Sequence, residues 1–303
     1  MPSIRPKTVL LIDGDVLVYQ VGLAAETATH WGDDWWTLHA DAQECKATLD
    51  QKVVALKKTL EADEVRFALS CSSLAGFRRA LCPTYKSNRI DKRKPIVHNA
   101  LRQHLLDAYD TILRDRLEAD DVLGILATQP TDERRILVSI DKDFRGVPCM
   151  FYRTCDEFPQ VITISSDEAA RFHALQTLTG DRVDGYVGIP GCGPKSAEKI
   201  LAGVPTADLW PAIVKAYDDA GLSESVALVT ARLARILQST DYNTKTGEIT
   251  LWQPTQPRPL KTQANAVKPR PARTATVPPA KAASTSSPST PSSASLASSK
   301  QER

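Results

Sequence analysis

Three short apolar runs mark the first half of the chain: KTVLLI at 7–12, EVRFALS at 64–70 and ILVSI at 136–140. Each is continuous rather than alternating and rich in β-branched residues, the pattern of a strand covered on both faces in a parallel sheet. Stretches with apolar positions three and four residues apart separate them, at roughly 41–61, 96–108 and 118–128, and predict helices. Strands alternating with helices predict an α/β architecture, a mainly parallel sheet flanked by helices. Ligands in such sheets bind beyond the carboxyl ends of the strands. Asp13 and Asp141 fall there, each directly after its apolar run.

A different pattern begins near Asp181. GIPGCGPKSAEKI at 188–200 reads as a glycine-rich turn opening into a helix. Helices follow at about 206–220 and 223–238, and YNTKTGEITLW predicts a last short hairpin turning near Gly247. After Pro254 the composition shifts to Pro, Ala, Ser, Thr and Lys, too poor in apolar side chains to fold, so 255–303 is expected to be disordered. The predicted organisation is a core over 1–180, a helical region over 181–254 and a tail over 255–303, without internal repeats.

Charge changes this picture. From Thr255 onward eight basic residues face one acid, so the tail carries +7, and the overall +2 less that +7 leaves −5 on the body. An acidic body does not coat nucleic acid by net charge; any nucleic-acid contact must come from local basic clusters. No apolar run approaches the roughly 18 residues of a membrane span, and no membrane partner is expected. The N-terminal MPSIRPKTVLLIDGD lacks a small-residue cleavage site and runs straight into acids, so it is read as a strand and not a signal peptide. Cysteines at 45, 71, 82, 149, 155 and 192 form no CxxC or zinc spacing, the usage of free thiols in a reducing cytosol.

The acids come in clusters: Asp13/Asp15, Glu118/Asp120/Asp121, Asp141/Asp143 and Asp181/Asp184. Glu118 and Asp121 in LEADDVLG are three apart and share a helix face. Asp141 and Asp143 in SIDKDF alternate by two and point the same way from an extended chain. Carboxylates converging on one sheet edge repel one another, and burying them is costly without a counter-charge. Divalent cations are the simplest remedy, and all-oxygen ligation without His or Cys predicts Mg²⁺ or Mn²⁺ rather than zinc. Cations among carboxylates suit phosphodiester hydrolysis. The alternative for each cluster alone is a helix cap, a turn or an exposed loop.

FRRALCPTYKSNRIDKRKP at 77–95 carries seven basic residues and one acid, with Tyr85 among them. Such a segment neutralises phosphates and offers a ring to stack on an unpaired base, or is a solvated loop. The turn at 188–200 reads as a helix–hairpin–helix, whose Gly191 and Gly193 let backbone amides approach a phosphate, with charge from Lys195.

In order, LLIDGD, RR-L-PTYKSNR, LEADDVLG, SIDKDF and GDRVDGYVGIPGCGPKSA resemble the flap endonuclease/5′-nuclease family, nearest to the exonucleases of short-tailed phages, over about 7–254. The resemblance implies a PIN-like 5′-nuclease core with a basic arch at about 72–95 and a duplex-binding helix–hairpin–helix at 181–254. It implies a first metal site of Asp13, Glu118, Asp120 and Asp141. A second would use Asp143, Asp181 and Asp184, with Asp121 beside either. Arg78, Arg79, Tyr85, Lys86 and Arg89 would contact substrate, with Lys86 on the scissile phosphate. Two Mg²⁺ per site are implied, with Mn²⁺ as substitute and K⁺ at the hairpin. The implied activity is 5′→3′ exonuclease on duplex DNA, with flaps, nicks and RNA–DNA hybrids as further substrates, in replication, primer removal and recombination beside phage replication proteins in the host cytoplasm. The sequence departs from the family at Cys71, where members carry an Asp after the second strand; a thiol is a poor Mg²⁺ ligand. Competing readings are a PIN-like ribonuclease, which shares the acids but needs no duplex-binding hairpin, and a non-catalytic DNA-binding protein.

Overall fold

The computed structural model describes residues 5–71, 75–90 and 92–254; the segment 255–303, expected to be disordered, lies outside them. The strands are β1 (Thr8–Asp13), β2 (Thr27–Gly32), β3 (Trp35–His39), β4 (Glu64–Leu69), β5 (Thr111–Leu113), β6 (Arg134–Ser139), β7 (Met150–Arg153), β8 (Val161–Thr163), β9 (Gly180–Asp181) and β10 (Tyr186–Val187). The helices are α1 (Gly14–Ala25), α2 (Ala42–Thr59), α3 (Phe77–Leu81), α4 (His98–Ala108), α5 (Ala119–Thr128), α6 (Ser166–Thr179), α7 (Pro194–Leu201), α8 (Leu209–Asp219) and α9 (Glu224–Ala234).

Six strands form one sheet in the order β5-β4-β1-β6-β7-β8. All neighbours are parallel except β7 and β8, so the architecture is the α/β one that the pattern predicts. The reason the predicted strands read as unbroken apolar runs is visible in β1. Val9 and Leu11 enter a core closed by α5 and the segment through Ile236 and Leu237. Leu10 and Ile12 enter the opposite core, beneath α1, α2 and α4. Both faces are buried, so the four residues between Thr8 and Asp13 are all apolar. Each such side chain contributes about 1.5–3 kcal/mol by burial. A third apolar cluster joins α6, α7, α8 and α9 around Tyr217, Trp210 and Leu178.

Several elements escape the sequence pattern. β5, β7 and β8 have only three or four residues, too few to show a period. The apolar positions of α6 are spread around the helix because Ala169 faces the sheet core while Ala174 and Leu178 face the helical cluster. The hairpin β2–β3 is exposed at every position on both strands, so no burial pattern marks it. Asp33 and Asp34, both at positive φ, make its two-residue turn, the conformation a tight hairpin requires. Trp31, Trp35 and Trp36 are more than half exposed on it. The hairpin predicted around Gly247 reduces to a single antiparallel bridge, Tyr242 to Ile249, closed by Gly247 at φ +74°. Among the described residues no helix is long and apolar enough to cross a membrane.

One buried polar group sets an acid limit on stability. His173 on α6 donates from Nε2 to the Ala231 carbonyl at 2.8 Å, and its ring meets the edge of Trp252. Burial first, and Arg235 second, push its pKa down to about 4. The imidazole is therefore neutral in the fold but protonates in the unfolded chain below about pH 6.5. Stability from this site is complete above that value and is lost as pH falls from about 6.5 to about 4. Denaturant titrations across this window should show the wild type losing up to about 3 kcal/mol relative to His173→Gln, whose side chain does not titrate.

Candidate active site

The acids from the four clusters come together at the carboxyl edge of the sheet. Asp13 is the last residue of β1; its Oδ1 accepts from Val16 N at 3.0 Å, capping α1, and its Oδ2 accepts from Ser139 Oγ at 3.1 Å. Ser139 Oγ in turn accepts from Asp141 N at 3.1 Å, so one hydroxyl ties the ends of β1 and β6 together. Asp141 Oδ1 accepts from Asp143 N at 2.8 Å and starts a 3₁₀ turn. Glu118 and Asp120 lie in the first turn of α5, whose dipole favours negative charge there. Asp181 Oδ1 accepts from Val183 N and Asp184 N, folding the β9–β10 turn so that Asp184 faces the others. Asp13, Glu118, Asp120, Asp141, Asp143, Asp181 and Asp184 all line one cleft of about 690 Å³.

Close approach at the cleft needs glycine. A Cβ on Gly14 would stand 2.8 Å from the Ala68 carbonyl, and one on Gly124 would stand 2.4 Å from the Leu237 carbonyl. The glycine inside LEADDVLG thus lets the chain at 236–237 press on α5.

The basic segment closes over the acids. Lys86 Nζ is 2.6 Å from Glu118 Oε1 and 3.6 Å from Asp184 Oδ2, and Arg89 pairs with Asp184. Lys86 has φ +51°, a left-handed conformation that a non-glycine residue adopts at some cost, and its N–H donates to the Asp184 carbonyl at 2.7 Å. Tyr85 is buried, with its hydroxyl donating to Glu118 at 3.1 Å or Asp184 at 3.2 Å. The expectation that its ring is offered to an unpaired base is corrected here: the ring packs beside Tyr186.

Two further assignments are corrected. Asp121 does not face the cleft. It is fully buried; Oδ2 accepts from Arg78 Nη1 and from Glu118 N, and Oδ1 from Arg78 Nη2 and Leu237 N. Arg78 is buried too, and its guanidinium makes five hydrogen bonds, to Asp121 twice, to Glu118 and to the Leu233 and Arg235 carbonyls. It holds the protein together and has no donor left for substrate. Asp121 and Arg78 satisfy each other, which spacing alone does not reveal.

Burial and mutual repulsion set the electrostatics of the acids. Burial first, then Asp15 and Asp141, push the Asp13 carboxyl up to about 7. Burial, then Asp141 and Asp181, push Asp143 up to about 7. Burial and Asp13 raise Asp120 well above the usual carboxylate range, and burial raises Asp184 despite Lys86 and Arg89. Glu118 goes the other way: burial would raise it, but Lys86 and Arg78 hold it low. Asp143 Oδ1 is buried with no hydrogen-bond partner. In the side-chain positions seen, no three acid, His or Cys groups among the described residues converge to enclose an ion, and the amines of Lys86 and Arg89 occupy oxygens of Glu118 and Asp184. The orphaned Asp143 oxygen, the raised carboxyls and the all-oxygen donor set fit a divalent cation.

The turn at 188–200 lies apart from the cleft. Gly191, at φ +76°, and Gly193 have open space around their Cα atoms, α7 starts at Pro194, and Lys195 is exposed. Cys71 lines the cleft just beyond β4, and burial raises its thiol pKa. Sequence reasoning assigned no role to Ser139 or to the Asp15–Arg102 pair. Arg102 bonds Asp15 and the Ser70 carbonyl, and Asp15 accepts from Ser70 N, bracing the ends of β1 and β4. The signal for Asp15 was its place in the DGD run.

No family model matches the sequence. The chain is 28% identical over 283 residues to the exodeoxyribonuclease of Enterobacteria phage T3 and to the exonuclease of Escherichia phage T7. Those alignments cover 82% of this chain and 93% and 94% of the relatives. Its fold matches the bacteriophage T5 D15 flap endonuclease, solved with DNA and metal ions, at a TM-score of 0.54 and 16% identity, over 77% of this chain and 90% of that one.

The Arg78–Asp121 pair makes a stability prediction. Arg78→Ala leaves a fully buried carboxylate without its counter-ion and should cost about 3–5 kcal/mol in denaturant unfolding. The double variant Arg78→Met/Asp121→Leu should recover much of that loss, because it leaves no buried charge behind.

Proposed function

Because the chain belongs to the 5′-nuclease family of flap endonucleases and phage exonucleases, we propose that it is a metal-dependent 5′→3′ exodeoxyribonuclease acting at the 5′ ends of duplex DNA. The observation that carries this reading is the meeting of seven acids from four distant segments in one cleft beneath Lys86 and Arg89. Five-prime flaps, nicks and the RNA strand of RNA–DNA hybrids are further substrates under this proposal. Its setting is phage DNA replication, primer removal and recombination in the cytoplasm of the host cell, beside phage replication proteins.

Asp13, Glu118, Asp120 and Asp141 would hold one Mg²⁺ ion and Asp143, Asp181 and Asp184 a second, with Mn²⁺ as substitute. When bound, such ions lower the pKa of a water and stabilise charge on the phosphate. The chain's own residues do the rest. Ser139 and the backbone amides of Val16, Asp143 and Asp184 fix the carboxylate orientations. Lys86, 2.6 Å from Glu118 here, turns to a non-bridging oxygen of the scissile phosphate, with Arg89 beside it. A water oxygen bonds to phosphorus as the bond to the 3′ oxygen breaks; the released nucleotide leaves with a 3′ hydroxyl, and the shortened strand keeps a 5′ phosphate. Residues 1–180, together with Asp181 and Asp184, carry this chemistry. The remainder of 181–254 grips the duplex through Gly191, Gly193 and Lys195, where backbone carbonyls of the hairpin would hold K⁺.

With Mg²⁺, the protein should release mononucleotides from a 5′-labelled duplex, and EDTA should stop it. Asp143→Ala and Asp184→Ala should each slow release by about 100-fold or more, with unchanged circular dichroism. Mn²⁺ should raise the melting temperature of the wild type more than that of Asp143→Ala. Wild-type rates in either variant refute the assignment.

A further inference from the structure

Cations line the cleft as well as acids, Arg79, Arg116 and Lys94 among them. Arg78, Lys86, Arg89 and Arg102, which also line it, each have a carboxylate partner. Among the described residues Arg79, Arg116 and Lys94 pair with no acid; Lys142 has no ion pair either, but its charge already acts on Asp143. Cations that decline carboxylates in a cleft so rich in them leave their charge for something else.

Arg79 is the most telling of the three. Its Nε and Nη2, the two donors that grip an oxyanion side by side, are shielded from solvent and have no acceptor. Unmet buried donors are costly, and a turn of the side chain toward an anion in the cleft supplies what they lack. Its backbone does not need to move, since the neighbouring Arg78 is pinned by five hydrogen bonds. Arg116 sits at φ +66° in the loop before α5, and its carbonyl accepts from Phe77 N at 3.1 Å. That contact fixes the Arg116 backbone against the start of α3, two residues from Arg79. A planar guanidinium matches a phosphate with two parallel hydrogen bonds.

The reaction proposed above says which phosphate this is, and the inference rests on that reading. Each cleavage leaves a 5′ phosphate on the shortened strand. From the second cycle onward the terminal nucleotide therefore carries a phosphate on the side away from the scissile bond. We propose that Arg79, with Arg116 and Lys94, forms a subsite for the phosphate on the 5′ side of the nucleotide to be released. That phosphate is either a terminal 5′ phosphate or, on a flapped strand, an internal diester.

Binding tests this without turnover. Fluorescence anisotropy in EDTA compares one blunt duplex bearing a 5′ hydroxyl, the same duplex with a 5′ phosphate, and the same duplex with a one-nucleotide 5′ flap. The wild type should bind the phosphorylated end about tenfold tighter than the hydroxyl end. Arg79→Gln should bring that ratio near one, and Arg116→Gln, at an exposed position, should lower it in part. Lys215→Gln, a surface charge on α8 paired with Asp219, should leave the ratio at its wild-type value. A matching gain with the flapped duplex, also lost in Arg79→Gln, extends the subsite to internal diesters; a gain with the terminal phosphate alone confines it to strand ends. A wild-type ratio of one, or a tenfold ratio kept in both arginine variants, overturns the subsite. Absence of cleavage with Mg²⁺ or Mn²⁺ alongside a tenfold ratio instead sinks the nuclease reading and leaves a phosphate-binding cleft standing.

Discussion

Repulsion among carboxylates at one edge of a sheet is the constraint around which this protein is built. Asp13 accepts from the Val16 amide on one oxygen and from the Ser139 hydroxyl on the other, and Asp141 accepts from the Asp143 amide in the turn at Lys142. These contacts orient the acids without neutralising them. The raised pKa values of Asp13 and Asp143 measure what remains uncompensated.

Some positive charge is already present, and it is of two kinds. Arg78 is permanent. Its five hydrogen bonds tie α3 to Asp121 at the start of α5 and to the chain at 233–235, so the basic segment and the acidic helix are positioned by one side chain. Lys86 and Arg89 are provisional. Lys86 bonds Glu118 from a left-handed backbone position and Arg89 bonds Asp184, both on flexible stems.

Much of this was legible in the sequence. The three buried strands, the helices between them and the place of Asp13 and Asp141 at the strand ends follow from period and spacing; that Glu118, Asp120, Asp143, Asp181 and Asp184 join them is what the resemblance to the 5′-nuclease family implied. What stayed hidden depended on pairing across long stretches of chain. Nothing in EADD distinguishes Asp120, which faces the cleft, from Asp121, which faces Arg78; only the direction of each side chain about α5 does. Tyr85 lies in a basic run yet is buried, because Tyr186 arrives beside it from a hundred residues away. Ser139 is one serine at the end of an apolar strand and acquires its role only when β1 lies next to β6.

The hairpin β2–β3 gives the molecule an unusual optical character. Three of its five tryptophans stand on that hairpin in water, and only Trp210 and Trp252 lie against the helical cluster. Intrinsic emission from the native state is therefore red-shifted and easily quenched by solutes. It follows the surroundings of one projecting ribbon far more closely than it follows the sheet, which contains no indole at all.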